Sequence, residues 1–294
     1  MGAVDLVAVG DVMLDVRVDA ESLRRGGDVH GRVLLQPGGT SANAAAWAAW
    51  AGASSRVLGR VGDDLAGHSV CNALAEHGVE AAVTVDPEAP TGTMLVVHEP
   101  GERSMVADRG ANARLVPDDL PDTIEAAAVL ISGYLLLQEP GHATALAALA
   151  RANAAWVAVD TASWPLVESF GADRFFEETS VATVLLANER EAEVLTGRTG
   201  ADAAARLGER FRVAAVKMDR RGAAICVDGA VSSSPAEPVV EVDPTGAGDA
   251  FDGVLLAGIA RGGDPAAALA GACHAGALVA SSTQVWPEPR VHRA

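Results

Sequence analysis

The sequence predicts an α/β fold with three layers, in which a doubly wound, mostly parallel sheet carries helices on both faces. Short apolar runs alternate with helical patterns through the middle of the chain, as they do in parallel β-α-β units. Two further strand patterns, near residues 12–35 and 91–108, break this alternation. We expect these two patches to form a small β-sheet lid that stands off the main sheet, within a single domain spanning residues 1–294.

The individual elements follow from apolar periodicity and from the turn residues that bound it. A run that ends in Gly10-Asp11 predicts a buried first strand, and Pro37-Gly38-Gly39 predicts a break before an Ala-rich helix. In chain order we predict strands at 4–10, 29–35 and 56–61, helices at 41–50 and from 63 to about 77, a hairpin of 92–98 and 103–107 around Glu99-Pro100-Gly101-Glu102, strands at 129–132, 156–160 and 184–186, helices at 142–153, from 188 and at 203–210, strands at 213–218, 223–227 and 230–233, and helices at 247–260 and 265–280.

Composition and charge limit the classes of function. The chain has 294 residues, 49% of them hydrophobic, and a formal net charge of -17. Such an acidic surface repels phosphate backbones, so we expect no nucleic-acid partner. No apolar run reaches the ~18 residues of a membrane-spanning helix, no basic segment precedes the first apolar run, and the three cysteines form no CxxC pair. We therefore expect a cytoplasmic protein with reduced thiols and no membrane partner.

The most informative stretch is DPTGAGDAF, residues 243–251, which follows strands and opens an apolar helix. Gly246 and Gly248 allow a tight turn and leave the backbone N–H groups of Gly246, Ala247 and Gly248 unobstructed at a helix N-terminus. Such a terminus favours negative charge because the helix dipole is positive there. We therefore predict that this loop stabilises a phosphoryl group in transit.

A carboxylate in this loop needs a separate task, because Asp249 would repel a bound phosphate. Removing a proton from an alcohol nucleophile is such a task, since phosphoryl transfer depends mainly on positioning and charge neutralisation. The alternative interpretation is that Asp249 only caps the first turn of its helix. The complete nine-residue string, with Asp243 and Thr245 in place, favours the catalytic interpretation.

DPTGAGDAF resembles the second signature of the ribokinase-like (PfkB) carbohydrate kinases, D-x-T-G-A-G-D-x-F. An upstream segment, PGGTSANAAAWAAWAGASSRVLGRVGDDLAG, resembles the first signature, and the likeness extends from Val4 to about Ala280. The resemblance implies a ribokinase-like fold. It also implies an ATP-dependent, Mg²⁺-requiring kinase that transfers the γ-phosphoryl group to a hydroxyl of a sugar or sugar derivative, with Asp249 as the base.

The resemblance further implies a sugar site that contains Asp15, Gly38, Gly39 and Asn43. These residue types suit that role, because glycines let a ligand approach the backbone, and Asp and Asn offer hydrogen-bond partners to hydroxyls. The alternatives are a plain turn at the two glycines and a helix cap at Asn43. Residues 135–139 resemble the segment whose acid meets the sugar in ribokinases, which makes Glu139 a further candidate.

Nucleotide and magnesium candidates also follow from the resemblance. Residues 181–197 resemble the N-x-x-E element, in which Asn188 and Glu191 would organise Mg²⁺ near the phosphates; a helix cap is the alternative. KMDRRGA, residues 217–223, falls at the usual G-x-x-G contact with the nucleotide. There Gly222 is kept, Asp219 replaces the first glycine, and Lys217 is either a phosphate contact or a strand-end lysine.

Three further residues complete the implied site. Thr245 belongs to the second signature, and His274 lies in ACHAGALVA, which resembles the helix that lines the adenine pocket; a surface histidine is the alternative. In many relatives the first aspartate of the signature, here Asp243, helps to hold a monovalent cation. The loop after the His274 helix, SSTQVWP, is shorter than the corresponding loop of the family, so activation by K⁺ stays open.

Three functions remain under comparison: a sugar kinase, a nucleoside kinase of the same fold, and a non-catalytic sugar- or nucleotide-binding regulator. The intact Asp249 and its glycines favour catalysis. Aromatic residues, 4% of the chain, are sparse for the walls of a nucleobase site. The expected ligands are therefore a small sugar and ATP. Because exposed strand edges need a partner, we also expect a homodimer formed through the lid strands.

Overall fold

The computed structural model describes residues 3–23, 26–99 and 102–289. In chain order its strands and helices are β1 Val4–Val9, β2 Met13–Ala20, β3 Gly31–Gly38, α1 Thr40–Trp50, β4 Ser55–Gly62, α2 Leu65–Glu76, β5 Val79–Asp86, β6 Gly92–Glu99, β7 Glu102–Asp108, β8 Ile124–Ser132, α3 Gly133–Leu136, α4 His142–Arg151, β9 Ala152–Asn153, β10 Trp156–Asp160, α5 Trp164–Phe170, α6 Ala172–Glu178, β11 Val184–Asn188, α7 Glu189–Thr196, α8 Gly200–Leu207, β12 Val213–Lys217, β13 Ala223–Val227, β14 Ala230–Ser234, α9 Ala247–Ala260 and α10 Pro265–Ala280.

The main sheet has the strand order β14-β13-β12-β11-β10-β8-β1-β4-β5, and β9 pairs with β8 outside this path. All neighbours from β12 to β5 are parallel, whereas β13 and β14 add an antiparallel edge. From β1 the chain proceeds to β4 and β5 on one side and to β8, β10, β11 and β12 on the other. The sheet is therefore doubly wound, as predicted.

Two cores lie on opposite faces of this sheet. Leu6 and Ala8 of β1 pack in one core with α1, α9 and α10, while Val7 and Val9 pack in the other with α4, α7 and α8. Successive side chains of a strand point to opposite faces, so a strand covered on both sides must be apolar throughout. This explains why the central strands read as continuous apolar runs and confirms the three layers.

A separate sheet of four strands, with the order β3-β2-β6-β7, is formed by the two patches predicted to break the alternation. In β2, Asp15 and Arg17 alternate with Val16 and Val18, so the sheet has one polar face and one apolar face. The predicted hairpin is present, since β6 pairs antiparallel with β7. Its turn residues Pro100 and Gly101 lie outside the described residues.

Five elements of the described residues were not predicted from the sequence: β5, α3, β9, α5 and α6. The helix α3 has only four residues, and the two residues of β9 were predicted as the end of the helix at 142–153. The edge strand β5, VEAAVTVD, is only partly buried over most of its length, and a weakly apolar pattern is what an edge position permits. The helices α5 and α6 have seven residues each, too few for a clear helical period. Among the described residues, no helix is both long and apolar enough to cross a membrane.

Candidate active site

The chemistry-bearing side chains gather where the parallel strands end. Asp160, Asn188 and Lys217 are the last residues of β10, β11 and β12, three consecutive neighbours in the main sheet. Because the strands are parallel, their carboxyl ends lie on one edge of the sheet. The N-terminus of α9 reaches the same place, since Lys217 bonds to Asp252 of that helix.

The signature loop enters α9 through a left-handed glycine. Gly246 occupies the N-cap position with φ 81, a conformation that favours glycine over other residues. The amide of Ala247 donates to Pro244 O at 3.1 Å, so this predicted phosphate donor is engaged within the turn. Asp249 is the third residue of the helix, and its side chain accepts a hydrogen bond from Asn43 Nδ2 at 2.7 Å. The cap is therefore Gly246, and Asp249 is directed toward α1.

Asp249 lies in an unusually acidic setting. It lines a cavity of about 10 Å³, the size of one water molecule, together with Thr40, Ser41, Ala44, Leu130, Ser132, Asp160 and Asp252. Burial raises the pKa of Asp249 to about 7; the Asn43 hydrogen bond and Lys217 act against this rise, while Asp160 and Asp15 add to it. The carboxyl group therefore gains or loses its proton near neutral pH, which suits a general base.

Lys217 is the cation at the centre of this edge. Its Nζ lies 2.9 Å and 3.0 Å from the carboxylate oxygens of Asp252 and 3.1 Å from Asp160 Oδ1. Asp252 is 1% exposed, so Lys217 compensates a buried charge. Burial alone would lower the pKa of Lys217, but the carboxylates of Asp160, Asp252 and Glu191 outweigh it and raise the pKa.

The predicted sugar residues lie together at the base of the small sheet. Asp15 is buried, and burial followed by the charge of Asp243 raises its pKa to about 7. A Cβ on Gly38 would stand 2.4 Å from the Asp15 carboxyl group, and one on Gly39 would stand 2.4 Å from Asp11 O. The glycines thus make room for Asp15 and Asp11. Gly39 also has φ 93 at the N-cap of α1, the helix that carries Asn43.

Asp243 is surrounded by basic side chains of the small sheet. Arg17 of β2 donates to Asp243 Oδ2, His98 Nε2 of β6 lies 3.1 Å from the same oxygen, and Arg103 Nη1 of β7 lies 3.5 Å from Oδ1. Thr245 donates to Asp243 Oδ1 through both its amide and its hydroxyl, at 3.0 Å and 2.7 Å. The small sheet is therefore fastened to the signature loop by opposite charges.

Asn188 and Glu191 form a reciprocal cap at the start of α7. Asn188 Oδ1 accepts from the Glu191 amide at 2.9 Å, and Glu191 Oε2 accepts from the Asn188 amide at 2.8 Å. Asn188 Nδ2 and the hydroxyl of Thr161 also donate to the Glu191 carboxylate. This is the capping box that was the alternative interpretation. Burial, followed by the charge of Asp160, raises the pKa of Glu191.

The remaining predicted residues are more dispersed. Gly222 follows the turn after Lys217 with φ 93, and Asp219 adopts φ 50 in the same turn; aspartate tolerates this left-handed conformation better than most residues, which explains how it replaces a glycine. His274 Nδ1 lies 2.8 Å from Glu237 Oε1. Glu139 is exposed on the segment between α3 and α4. Its side chain therefore faces solvent.

Sequence reasoning missed several residues that the structure places at this site. They are Asp11, Arg17, Tyr134, Asp160, Asp252 and Trp286. Two had a usable signal: Asp160 ends a buried strand, and Asp252 lies three residues after Asp249 on one helix face. Burial, with added effects of Asp160 and Asp249, raises the pKa of Tyr134 to about 12. Trp286 had no local signal, because its contact with Asn43 spans 243 positions of sequence.

Comparison with known proteins agrees with this geometry. The family model described as pfkB family carbohydrate kinase matches residues 4–288. The fructokinase of Klebsiella pneumoniae is 32% identical over 270 residues, which cover 87% of this chain and 85% of the relative. The adenosine kinase of Sinorhizobium meliloti superimposes with a TM-score of 0.85 at 22% identity, covering 98% of this chain and 97% of that one.

A second solved structure, the aminoimidazole riboside kinase of Salmonella enterica complexed with aminoimidazole riboside and an ATP analogue, has a TM-score of 0.78 at 22% identity and covers 95% of both chains. The fold, with an acidic helix start at the carboxyl edge of its sheet, is that of a ribokinase-like α/β kinase. The chain belongs to the pfkB family of carbohydrate kinases, and is an ATP-dependent phosphotransferase.

Proposed function

We propose that the protein transfers the γ-phosphoryl group of ATP to a hydroxyl of a sugar or sugar derivative, with Asp249 as the general base. The observation that carries this proposal is the placement of Asp249 at the positive end of α9, beside a cavity and with a pKa raised to about 7 by burial. A carboxylate with such a pKa accepts a proton from an alcohol near neutral pH. We expect the amides of Gly246 and Gly248 to stabilise the migrating charge, while Ala247 shapes the turn.

The sugar is proposed to lie between the small sheet and α1. Asp15, Gly38, Gly39 and Asn43 line this region, and the raised pKa of Asp15 lets its carboxyl group donate or accept a hydrogen bond near neutral pH. Glu139 stays a predicted contact that would require the segment between α3 and α4 to move. The small sheet acts as the lid of a single domain, because Arg17 and Arg103 hold it to the signature loop through Asp243.

The nucleotide is proposed to lie along the ends of β11 and β12. Asn188, Lys217, Gly222, Thr245 and His274 are its candidate contacts. Mg²⁺ keeps several of its waters and binds largely through nucleotide phosphates, so it needs few protein ligands. Glu191, reached through water, and Asp160 are the carboxylates available to it. Bound Mg²⁺ neutralises phosphate charge.

Asp243 does not fit the monovalent-cation site that the family suggests. Arg17, His98 and Arg103 already surround its carboxylate, and a K⁺ ion there would be repelled by the guanidinium groups. We therefore propose that K⁺ is not required at Asp243. The positive charge that a cation would contribute beside the loop comes from the small sheet.

The test is a panel of sugars, sugar acids and nucleosides assayed with ATP and Mg²⁺ for release of ADP. We expect one or more sugars to be phosphorylated, and we expect Asp249→Asn to lower kcat by about 10³-fold or more while the KM of the sugar changes little. Preference for nucleosides would select the alternative nucleoside kinase. Failure of every acceptor to stimulate ADP release would favour a non-catalytic regulator.

A homodimer and a cytoplasmic location complete the proposal. The face of the small sheet opposite Asp15 and Arg17 is apolar, and its residues Val33, Leu35 and Val106 are 59%, 67% and 64% exposed. A contiguous apolar patch of this kind marks an association surface. We propose that a second copy of the chain covers it.

The three cysteines, which are all free, fit a reducing compartment.

A further inference from the structure

The side chain of Asn43 connects two distant parts of the chain. Its Nδ2 donates to Asp249 Oδ2 at 2.7 Å, and its Oδ1 accepts from Trp286 Nε1, also at 2.7 Å. Asn43 is 4% exposed and Trp286 is 7% exposed, so water does not compete freely for the bond between them. The proposed base is therefore linked through one carboxamide to a tryptophan near the end of the described chain.

The chemistry of the indole fixes the orientation of that carboxamide. An indole N–H is a donor and has no acceptor, so only the oxygen of Asn43 can face Trp286 favourably. The amide nitrogen is then forced to face Asp249. Without the indole, the two ends of a carboxamide are nearly equal in shape, and a rotated Asn43 would place its oxygen against the carboxylate of Asp249.

Residues 284–287, here named the C-terminal segment, are held against three elements. Trp47 Nε1 of α1 donates to Val285 O at 2.9 Å, and His77 Nε2 lies 2.9 Å from Pro287 O. The ring of His77 meets Trp286 edge-on, with centroids 5.0 Å apart. A Cβ on Gly246 would stand 2.5 Å from Val285 Cγ1, so the segment also packs against the signature loop.

We propose that Trp286 is a positioning residue for phosphoryl transfer, which holds the Asn43 carboxamide with its N–H toward Asp249 and thereby aims the base. This inference rests on the proposed function only in taking Asp249 as the base. The segment SSTQVWP, which is shorter than the corresponding loop of the family, thus has a proposed role of its own.

The expected effect of losing Trp286 is a change in the pKa of Asp249. The Asn43 hydrogen bond lowers the pKa of Asp249 against the stronger effect of burial, because an N–H donor favours the charged carboxylate. The other charged groups that face Asp249 are Asp160 of β10, Lys217 of β12, Asp15 of β2 and Asp252 of α9 itself, and none of them contacts Trp286 in the hydrogen bonds described. Loss of the indole donor should therefore raise the pKa of Asp249.

The experiment compares Trp286→Phe with Trp47→Phe, with ATP, Mg²⁺ and D-fructose as the assay substrates. Trp286→Phe keeps an aromatic ring and removes the donor to Asn43, whereas Trp47→Phe removes an indole donor whose acceptor is a backbone carbonyl. We expect Trp286→Phe to lower kcat/KM about tenfold at pH 7, the order of one hydrogen bond to a charged group. The pH at which kcat/KM is half of its maximum should be higher in Trp286→Phe than in the wild type, and should be unchanged in Trp47→Phe.

A double-mutant cycle separates positioning from general destabilisation. In an Asn43→Ala background, Trp286→Phe should cause no further loss of kcat/KM, because its effect passes through Asn43. An equal loss in both backgrounds, or a wild-type pH midpoint in Trp286→Phe, would overturn the inference. Asp249→Asn is measured in parallel. If Asp249→Asn keeps its turnover, the assignment of Asp249 as the base fails. If Asp249→Asn loses turnover while Trp286→Phe behaves like the wild type, only the role of Trp286 is rejected.

A measurement without substrate tests the same connection even if D-fructose is not the acceptor. In ¹⁵N-labelled protein the Trp286 indole N–H signal, identified by its absence in Trp286→Phe, should shift with pH around the midpoint of Asp249. Asp249→Asn should abolish that shift, and the Trp47 indole signal should stay constant. A Trp286 signal that does not respond to pH between 5.5 and 8.5, roughly the range that brackets the pKa of Asp249, would contradict the connection.

Discussion

At the scale of single residues, the site is a cluster of carboxylates around one cation. Asp160 and Asp252 contact Lys217 directly, and Glu191 adds to the field that raises the lysine's pKa. Asp249 lies beside this cluster without a direct bond to Lys217 in the hydrogen bonds described. Its protonation is consequently set by burial and by neighbouring charges of both signs, which raise the pKa of the proposed base to about 7.

The raised pKa of Asp249 predicts how activity depends on pH. The base must be ionised to accept a proton, so kcat/KM for the acceptor should fall as pH drops through about 7. A carboxylate with its ordinary pKa would stay ionised down to about pH 4. The measurement is a profile of kcat/KM from pH 5 to 8.5 or thereabouts at saturating ATP. A flat profile down to pH 5.5 or so would contradict the raised pKa.

The buried pair between Lys217 and Asp252 predicts a large effect on stability. Lys217→Met leaves the carboxylate of Asp252 buried and unpaired, which typically costs about 3–5 kcal/mol in the free energy of unfolding. Replacing both residues in Lys217→Met/Asp252→Leu should recover part of that loss, because the buried charge of Asp252 is gone and only Asp160 stays without its cation. Urea denaturation of the two variants measures both values.

A matched control for this prediction is Arg220→Met. Arg220 also bonds to a carboxylate, that of Glu241, but its side chain is 82% exposed. Water replaces such a partner readily, so the unfolding free energy should change little. Equal losses in Lys217→Met and Arg220→Met would show that burial of the pair is not the cause.

At the scale of secondary structure, the site depends on the close approach of α1 and α9. A Cβ on Gly253 would stand 2.2 Å from Ala44 O, so only glycine lets the two helices approach to their observed distance. Gly253 lies one turn after Asp249 on α9, and Ala44 follows Asn43 on α1. The glycine contact therefore sets the distance across which Asn43 bonds to Asp249.

Two glycine-to-alanine substitutions test this contact. Gly253→Ala should reduce the free energy of unfolding by about 1–3 kcal/mol through overpacking, and should lower kcat as well. Gly271→Ala in α10 is the control: its Cβ would meet Val254 Cγ1 at an ordinary 3.8 Å. This control should gain up to about 1 kcal/mol from helix propensity. Thermal or urea unfolding would reject the helix contact if both variants gained stability.

At the scale of the whole molecule, the small sheet separates two kinds of interaction. Its polar face carries Arg17, His98 and Arg103 to Asp243, and its opposite face exposes Val33, Leu35 and Val106. Strand alternation produces both faces from one set of strands. The same sheet can therefore cover the site on one side and meet a second copy of the chain on the other.

The proposed dimer predicts a specific response to charge on the apolar face. Leu35→Glu should convert a dimer into a monomer, because a carboxylate buried between two copies has no partner. Val240→Glu is the control, since Val240 is 84% exposed on the segment before the signature loop. Sedimentation velocity distinguishes the species. A wild-type protein that sediments as a monomer, or a dimer that survives Leu35→Glu, would contradict the proposal.

The sequence by itself determined the fold class and the central motif. Apolar runs such as residues 4–9 and 129–132 specify strands covered on both faces, and the glycines of residues 243–251 specify a turn into a helix. These features were predictable because they depend on residues within one element or its nearest turn. Asp249 and Gly246 could accordingly be singled out from local sequence, whereas Asp15 and the Gly38-Gly39 pair were implied by the resemblance to a known family.

Only the tertiary structure decided which side chains meet. Arg17 reaches Asp243 across 226 positions, and Trp286 reaches Asn43 across 243, distances at which no local pattern carries information. The tertiary structure also makes Asn188 and Glu191 a reciprocal cap and Lys217 the partner of Asp252. Hydrogen bonds and ion pairs act over a few ångströms, so their partners are fixed by how helices and strands pack, and the sequence alone does not state that packing.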